Sequence, residues 1–302
     1  MKRLMVTGAS GFLGSRVVRF YEGKYEIFAP VHGQMDITDV DSVEAAFTSF
    51  RPDLVMHAAA VSDLDVCEKQ PETSWKINVD GSRNVAAAAF RFHAKCLLCS
   101  SDQVYFGKDL PADGGPHDEE EPLTPFNLYG KGKKKAEEEC LLQNPECIVL
   151  RLSWMYDAKT VNRQEHGDFF RTMLSGLETS ETLSYPVYDV RGITDVNEVI
   201  SNLEKAWELS GGIYNFGSPN DKNTYETVLR MFQELNWDTG RLSKNERAFS
   251  DNPRNISMGQ KKINDNGIYF STTLEGLVRN GRQGRHGKNS RNWEKKVLIG
   301  RG

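Results

Sequence analysis

The segment FNLYGKGKKKAEEE, residues 126–139, contains residue types that could move a proton. In a helix that starts near Tyr129, a rotation of about 100° per residue places Tyr129 and Lys133 on one face, together with Ala136 and Cys140. The other lysines of the segment point elsewhere and can pair with its glutamates in water. An ammonium on a packed face is costly without a partner, but beside a phenol it stabilises the phenolate. We therefore predict that Lys133 lowers the pKa of Tyr129, which becomes a usable general acid or base.

Polar residues end the preceding strand-like stretch, CLLCSSDQVY, residues 96–105. Ser101 and Asp102 thus reach the carboxyl end of a strand, where ligands bind in open α/β sheets. A serine hydroxyl there can donate a hydrogen bond to a substrate carbonyl oxygen as negative charge develops on it. Each residue also has a structural explanation: Tyr129 as a packing residue at a helix start, Lys133 as a side chain that reaches solvent, and Ser101 as a strand-end cap. Together with a glycine loop, the set favours a catalytic site.

That glycine loop is VTGASGFLGSR, which joins the first predicted strand to the first predicted helix. Gly8 permits a tight turn, Gly11 lets the backbone approach a pyrophosphate, and Gly14 lets the helix pack close to the strand. The free N–H groups of the helix start then face the anion. The spacing G-x-x-G-x-x-G differs from the standard G-x-G-x-x-G, but its position at the first strand-helix junction predicts a dinucleotide site.

The choice between NAD(H) and NADP(H) depends on the end of the second predicted strand. An acid that binds the adenosine ribose is expected about 20 residues after the loop, where this chain has APVHG. Because no carboxylate stands there, His32 can equally lie near a 2′-phosphate, and Asp36 in MDITD can touch the adenine. The preference stays open and leans to NADPH.

The whole first half of the chain alternates short apolar stretches with amphipathic ones, which predicts a parallel sheet covered by helices on both faces. We predict strands in RLMVTGA, YEIFAPV, LVMHAAA, CLLCSSDQVY and CIVLRLSWMY, and helices in GFLGSRVVRFYEG, DVDSVEAAFTSF, ETSWKINVDGSRNVAAAAFRF and YGKGKKKAEEECLL. The later part is less regular, with helices in NRQEHGDFFRTMLSGLE, VNEVISNLEKAWEL and TYETVLRMFQEL and a strand in GGIYNFGS.

The predicted fold is a Rossmann-like doubly wound parallel α/β sheet with a smaller C-terminal substrate-binding region. Residues 1–156 form the NAD(P)-binding domain in this prediction. Residues 157–280 are mainly substrate-binding, with a strand near 212–217 that returns to the first domain, and residues 281–302 are a basic tail.

The overall composition excludes some classes of function. Among 302 residues, Lys+Arg number 38 and Asp+Glu 42, so there is no general basic surface for nucleic acid. No apolar run reaches the roughly 18 residues of a membrane span, and the start is too short for a signal-peptide core. Five cysteines form an odd set, which favours reduced thiols in the cytoplasm. The C-x-x-C at Cys96 and Cys99 lies in a buried strand, so we predict core packing and no metal.

Eight stretches of the chain resemble one known family: TGASGFLG, MDITD, RPDLVMHAAAVSDLDVCE, INVDGSRNVA, SSDQVYFG, PFNLYGKGKKKAE, VLRLSWMY and PRNISMGQKKINDNGIYFSTTLEGL. The family is the extended short-chain dehydrogenases/reductases, and within it the chain is most similar to the dTDP-4-dehydrorhamnose reductases. The last stretch carries the likeness to this sugar-nucleotide branch, because other reductases share the loop and Y-x-x-x-K.

The resemblance implies NAD(P)H-dependent reduction of a nucleotide-linked 4-keto-6-deoxy sugar. In it, Tyr129 donates the proton, Lys133 holds the nicotinamide ribose, and Ser101 binds the substrate carbonyl. The implied cofactor site comprises Gly8, Gly11, Phe12, Leu13, Gly14, His32, Asp36, Ile37, Ala58, Ala59, Ala60, Ser62, Tyr129 and Lys133. The implied substrate site comprises Ser101, Asp102, Gln103 and Trp154. The sequence alone explains Trp154 equally well as a core aromatic at a strand end. A homodimer is what the family suggests.

Three positions depart from the family pattern. Gln103 replaces a tyrosine, Gly132 replaces a serine or threonine inside Y-x-x-x-K, and VRGITDVNE has Thr194 in a stretch that lacks the usual Pro-Thr pair. These departures concern recognition of the sugar substrate more than transfer of the hydride. Two alternatives follow: an epimerase or dehydratase that retains its NAD, and a non-catalytic regulatory subunit like that of methionine adenosyltransferase, which keeps this fold.

Overall fold

The computed structural model describes residues 1–107, 114–159, 168–179 and 181–284. Its strands are β1 Arg3–Thr7, β2 Glu26–Phe28, β3 Leu54–His57, β4 Lys95–Ser101, β5 Ile148–Leu152, β6 Trp154–Tyr156, β7 Leu183–Pro186, β8 Asp189–Val190, β9 Ile193–Asp195, β10 Gly212–Phe216, β11 Leu242–Asn245 and β12 Arg254–Asn255. Its α-helices are α1 Phe12–Tyr21, α2 Val40–Phe50, α3 Leu64–Lys69, α4 Pro71–Trp75, α5 Ser82–Arg91, α6 Leu128–Gln143, α7 Phe169–Glu178, α8 Val196–Ala206, α9 Thr224–Leu235, α10 Lys261–Asp265 and α11 Thr273–Gly284.

Six parallel strands form the central sheet in the order β10-β5-β4-β3-β1-β2. The direction of strand succession reverses between β1 and β3, so the crevice for a ligand opens beyond the carboxyl ends of these two strands. This sheet, with helices on both faces, confirms the predicted Rossmann-like α/β class.

Alternating side chains of the strands build a separate core on each face of the sheet. Leu4 and Val6 of β1 pack with α1 and α8, whereas Met5 packs on the other face with α2 and α5. The same alternation places Cys99 in the first core and Cys96 in the second, so the two sulfurs of the C-x-x-C lie on opposite faces of β4. All five cysteines are free and buried.

The C-terminal region has its own core, in which α7, α9 and α11 pack together through residues such as Phe170, Met231 and Leu277. Three short parallel pairs accompany it: β6 with β9, β7 with β11, and β8 with β12. Gly212–Phe216 does not join these pairs and lies instead at the edge of the central sheet beside β5. None of the helices within the described ranges is long and apolar enough to cross a membrane.

Several elements are shorter than predicted. The second strand ends at Phe28, two residues before Pro30, which lacks the N–H that a longer strand would use. CIVLRLSWMY forms two strands, because Trp154–Tyr156 leaves the central sheet to pair with Ile193–Asp195. CLLCSSDQVY ends as a strand at Ser101 and continues as a 3₁₀ turn, Asp102–Tyr105.

One predicted helix is interrupted, and another helix extends into the predicted tail. The long helix after α3 contains a π-helical turn, Lys76–Gly81, between α4 and α5. α11 continues to Gly284, so residues 281–284, which we assigned to the basic tail, complete a helix. Residues 285–302 of the predicted tail and 162–167 of the predicted helix before α7 lie outside the described residues.

Candidate active site

Helix α6 places Lys133 on its buried side, as its helical phase predicted. The Lys133 side chain is 4% exposed, and its Nζ donates to the Cys99 carbonyl oxygen at 2.8 Å. The same Nζ lies 5.7 Å from the centre of the Tyr129 ring. By contrast, Lys134 and Lys135 reach the solvent, where Lys135 pairs with Glu139 at 2.8 Å. Lys133 is therefore set apart from its neighbouring lysines by its position in the fold.

The electrostatic prediction for Tyr129 was wrong in this structure. Burial raises the pKa of Tyr129 above its usual value, and a side-chain hydrogen bond with Ser101 opposes this shift without reversing it. The negative charge of Asp102 raises the pKa further. Burial also lowers the pKa of Lys133. The low-polarity surroundings thus disfavour both the phenolate and the ammonium.

This shift gives a testable expectation for the protein without added ligand. Since a raised pKa keeps the phenol protonated, Tyr129 should not titrate below about pH 10, the ordinary tyrosine range. Tyr129 should therefore remain a proton donor throughout neutral and mildly alkaline pH. An ultraviolet difference titration of wild type against Tyr129→Phe would measure this. A phenolate signal that appears near neutral pH and is lost in Tyr129→Phe would contradict it.

Ser101 stands at the end of β4, where its hydroxyl makes two further hydrogen bonds besides the one with Tyr129. It donates to Asp102 Oδ1 at 3.2 Å and accepts from the Gln103 N–H at 3.2 Å. The second bond caps the 3₁₀ turn, so the structural explanation for Ser101 holds as well. Both distances are long for bonds to a hydroxyl, and the bond to Asp102 lies beyond the usual O–H···O range. The serine proton is therefore weakly held and remains available to an acceptor in the cleft.

Asp102 and Trp154, both predicted to contact substrate, are joined by a residue that the sequence did not single out. Arg191 Nη2 donates to Asp102 Oδ2 at 2.9 Å, and its guanidinium carbon lies 5.0 Å from the centre of the Trp154 ring. Trp154 is 39% exposed, so part of its ring remains accessible. Arg191 follows β8 by one residue, and its chain separation from Asp102 is 89 residues. No local pattern indicates a contact at that distance.

Gln103 and Thr194, two of the departures from the family pattern, are held by internal hydrogen bonds. Gln103 is buried, and its Oε1 accepts from Asn127, the residue that caps the start of α6. The Thr194 hydroxyl bonds the hydroxyl of Ser153 and accepts from the Ser218 N–H at 2.7 Å. Gln103 thus supports the helix that carries Tyr129, and its contact with a substrate stays a prediction.

The glycine loop has the geometry of a close backbone approach. Gly8 has φ +68°, and a Cβ there would lie 2.6 Å from the Ala59 nitrogen. A Cβ on Gly14 would lie 2.3 Å from the Gly8 carbonyl oxygen. Gly11 begins α1 without a side-chain cap, which leaves the first helical N–H groups for an anion. The residues present fit a dinucleotide, whose diphosphate the N–H groups at the start of α1 would hold.

A buried histidine fixes the opposite wall of this cleft. His57 ends β3, and its ring nitrogens bond the hydroxyls of Thr7 at 2.7 Å and Ser82 at 3.0 Å. Burial lowers the pKa of His57 to about 3, and the nearby charge of Lys133 adds to this effect. His57 therefore remains neutral and ties β1, β3 and α5 together. The backbone of Ala58, Ala59 and Ala60 follows directly.

Asn78, which we did not predict, holds the chain just beyond these alanines. Its Oδ1 accepts from the Val61 N–H at 2.8 Å, and its Nδ2 donates to the Val61 carbonyl at 2.9 Å. Asn78 lies in the π-helical turn, whose altered register a sequence pattern does not show. Its position between Ile77 and Val79 was the one available signal.

The remaining predicted cofactor residues do not share one surface: some are exposed and others are buried. The His32 side chain is 86% exposed and lies 3.9 Å from Asp36. Asp36 accepts from the Thr38 N–H and hydroxyl, bonds that lower its pKa.

Ile37 is buried against Gly81, and Ser62 is exposed. Phe12 carries the guanidinium of Arg16 over its ring at 3.9 Å, and Leu13 is in the core. Their contacts with a cofactor remain predictions.

Gly132, the third departure, gives a stability test within α6. A Cβ there would meet only Asn78 Cβ at 3.9 Å, whereas a Cβ on Gly130 would lie 2.5 Å from the Gln103 carbonyl oxygen. Gly132→Ala should raise the free energy of unfolding by about 0.5–1 kcal/mol, because glycine is a poor residue for a helix interior. Gly130→Ala, the matched control, should lower it. Urea unfolding measures both changes. A Gly132→Ala variant less stable than wild type would contradict the conclusion that position 132 has room for a Cβ.

The class of this protein follows from two features: a cleft that fits a dinucleotide at the sheet crossover, and Tyr129 and Lys133 on α6 beside Ser101 at the end of β4. The protein is an extended short-chain dehydrogenase/reductase. The sequence narrows the class further. The model of the family described as RmlD substrate binding domain matches residues 1–273, and the chain belongs to that family. The predicted resemblance is thereby confirmed.

Individual relatives agree with this assignment. The chain is 30% identical over 244 residues to a dTDP-4-dehydrorhamnose reductase of Aggregatibacter actinomycetemcomitans, covering 78% of this chain and 79% of the relative. It is 25% identical, with a TM-score of 0.79, to the crystal structure of the Bacillus anthracis dTDP-4-dehydrorhamnose reductase in complex with NADP, covering 94% and 99%. Methionine adenosyltransferase 2 subunit beta of Pongo abelii is 32% identical, but over 51% of this chain and 47% of the relative.

Proposed function

We propose that this protein reduces the 4-keto group of a nucleotide-linked 6-deoxy sugar with NADPH or NADH, as a dTDP-4-dehydrorhamnose reductase does. The observation that carries the proposal is the buried Lys133, which lies on the same helix face as Tyr129. Tyr129 in turn makes a hydrogen bond with Ser101. A lysine held among apolar groups with a phenol and a serine suits proton transfer to a developing alkoxide.

Each member of the set has a separate role in this proposal. Ser101 donates its hydrogen bond to the ketone oxygen, and Tyr129 gives that oxygen a proton, since the phenol is protonated at neutral pH. Lys133 holds the nicotinamide ribose and helps restore the proton of Tyr129. Trp154 offers its exposed ring face to the sugar, because aromatic faces suit apolar sugar surfaces.

The dinucleotide would lie against Gly8, Gly11 and Gly14, with the backbone of Ala58–Ala60 along its other side. When bound, it supplies the hydride. Since no carboxylate stands at the end of β2, and the similar structure from Bacillus anthracis contains NADP, we favour NADPH. A cytoplasmic location and a homodimer belong to the same proposal.

The direct experiment follows loss of reduced nicotinamide absorbance on mixing the protein with dTDP-4-dehydrorhamnose. Related keto sugars carried on dTDP, UDP and GDP complete the panel. We expect turnover with at least one of them, and loss of turnover in Tyr129→Phe. No oxidation across the panel with either cofactor would refute the proposal. A thermal-shift panel of NAD(H), NADP(H) and the nucleotide sugars identifies the preferred pair, because ligands that bind the native state raise its apparent stability.

The similarity to methionine adenosyltransferase 2 subunit beta supports a second candidate, a regulatory subunit that binds a dinucleotide. That likeness covers half of this chain, whereas the likeness to the reductases covers most of it. The candidate predicts nucleotide binding without turnover, and a stable protein partner in a pull-down. An epimerase or dehydratase would instead release NAD from the purified protein on denaturation.

A further inference from the structure

Beside the proposed catalytic set lies a group of four buried charges that the mechanism above does not use. It consists of Asp102 at the end of β4, Asp189 in β8, Arg191 in the turn before β9, and Arg254 in β12. Arg191 pairs with Asp102 at 2.9 Å, and Arg254 Nε pairs with Asp189 at 2.7 Å. All four residues are buried. The two pairs are chemically alike, but only the first contacts Ser101, through Asp102.

The position of Arg191 is fixed by its backbone. Asn220 Nδ2 donates to the Arg191 carbonyl oxygen at 2.9 Å. The next residue is Gly192, where a Cβ would lie 2.2 Å from the Ser218 carbonyl oxygen, so the turn has no room for another residue type. Arg191 Nε is buried and has no hydrogen-bond partner among the described residues. A buried donor without a partner is costly. The fold tolerates this cost at Nε while it keeps Nη2 on Asp102.

Ser101 has a single proton to donate, and in this structure Asp102 receives it. A ketone in the cleft must compete with that carboxylate. The competition depends on how much negative charge Asp102 presents, because hydrogen bonds to ionised acceptors are stronger than those to neutral ones. A guanidinium on the other carboxylate oxygen draws that charge away from Ser101. The long 3.2 Å bond between Ser101 and Asp102 fits such a weakened acceptor.

We propose that Arg191 is a positioning residue of the active site, which acts through Asp102 to leave the Ser101 hydroxyl free for the substrate carbonyl. The inference rests on the proposed reductase function. It assigns a role to the Asp102 carboxylate as well: Asp102 orients the serine, and Arg191 limits how tightly it does so. The stacking of Arg191 on Trp154 places the same guanidinium next to the predicted sugar surface.

The charges around Asp102 determine the expected pH dependence. Arg191 and Arg254 face it from the C-terminal region, and Tyr129 faces it from α6. Burial raises the pKa of Asp102, while Arg191 and then Arg254 oppose that shift. Removing the charge of Arg191 therefore moves the pKa of Asp102 further up. Above this new pKa the unpaired carboxylate holds the serine proton; below it, the neutral acid no longer competes for that proton.

The kinetic test compares Arg191→Gln with wild type across pH. We expect kcat of Arg191→Gln to fall about tenfold near neutral pH, less than the roughly 100-fold loss typical of removing an oxyanion donor. The lost rate should return as the pH is lowered, and KM for the nicotinamide cofactor should not change. Arg191→Lys, which keeps the charge, should retain most of kcat. An Arg191→Gln enzyme with the kcat and pH profile of wild type would overturn the inference.

Two further variants separate positioning from a general loss of structure. Asp102→Asn combined with Arg191→Gln should turn over faster than Arg191→Gln alone, because the competing carboxylate is gone. Arg254→Gln breaks the other buried pair and should lower the melting temperature, but change the pH profile less than Arg191→Gln does. Equal profiles for the two single variants would show that Arg191 acts only through stability.

A measurement without turnover distinguishes failure of this inference from failure of the proposed function. The Asp102 carboxyl carbon can be followed by NMR as a difference between wild type and Asp102→Asn. Arg191→Gln should shift its titration to higher pH, and an unchanged titration would overturn the role of Arg191. Absence of turnover by the wild type on every keto sugar would instead refute the reductase function.

Discussion

Replacing Lys133 by methionine should abolish reductase activity, with kcat/KM lowered by roughly 100- to 10,000-fold, the usual contribution of a positioned proton-transfer group. Lys133 is the one lysine of α6 whose Nζ is buried beside Tyr129, with the Cys99 carbonyl as a hydrogen-bond acceptor. Methionine keeps an unbranched apolar stem, one atom shorter than the lysine side chain, but has no charge and no donor. The change therefore removes the chemistry of the side chain and keeps most of its packing.

The same substitution should not damage the fold. Because burial lowers the pKa of Lys133, its charged form is disfavoured in the folded protein relative to the unfolded chain. A lowered lysine pKa costs stability in full at pH values below the folded-state pKa; the cost declines as pH rises above that value and is gone only above the unfolded-chain pKa near 10.5. Lys133→Met removes the cost, so its melting temperature at neutral pH should equal or exceed that of wild type.

Lys134→Met is the matched control, one residue away on the solvent side of α6. Its ammonium lies 3.7 Å from Glu138 in an exposed pair, and such pairs contribute at most about 1 kcal/mol. Its activity should stay within about twofold of wild type. Comparable loss of kcat/KM in both variants would show that helical phase does not identify the catalytic lysine, and an unfolded Lys133→Met protein would contradict the stability expectation.

The separation of Lys133 from its neighbours could be predicted because it depends on local geometry. Helical periodicity requires only the spacing of residues in one segment, and α6 extends over that whole segment. The same holds for the glycine loop, where Gly8 and Gly14 act within one strand-helix junction. The alternation of apolar strands with helices likewise predicted the parallel sheet.

The features that the sequence did not predict depend on contacts between distant segments or on the depth of burial. Arg191 reaches Asp102 across 89 residues, and Asn78 reaches Val61 from a π-helical turn that no periodicity indicates. The predicted direction of the Tyr129 pKa shift was wrong. The sequence indicates that a lysine lies near the tyrosine, but it does not show how deeply both groups are buried. The break between Leu152 and Trp154 depended on a partner strand, Ile193–Asp195, far along the chain.

Behind the catalytic helix, Glu137 and Arg151 form a buried ion pair, and breaking it should cost about 3–5 kcal/mol of unfolding free energy. Arg151 Nη2 donates to Glu137 Oε2 at 2.8 Å, and Arg151 Nε donates to Glu137 Oε1 at 3.1 Å. The Ser100 hydroxyl donates to Glu137 Oε1 as well. Glu137 lies one helical turn after Lys133, so this pair joins α6 to β4 and β5.

Glu137→Gln should therefore unfold at a much lower urea concentration than wild type, because a neutral amide leaves the Arg151 charge buried and uncompensated. Glu138→Gln is the control: its carboxylate is exposed, with Lys134 and Lys135 at 3.7 and 3.6 Å, and should change stability by about 0.5 kcal/mol or less. Adding Arg151→Met to Glu137→Gln should recover part of the loss, since no charge then remains unpaired. Equal stabilities for Glu137→Gln and Glu138→Gln would mean that the buried pair does not hold the catalytic helix against the sheet.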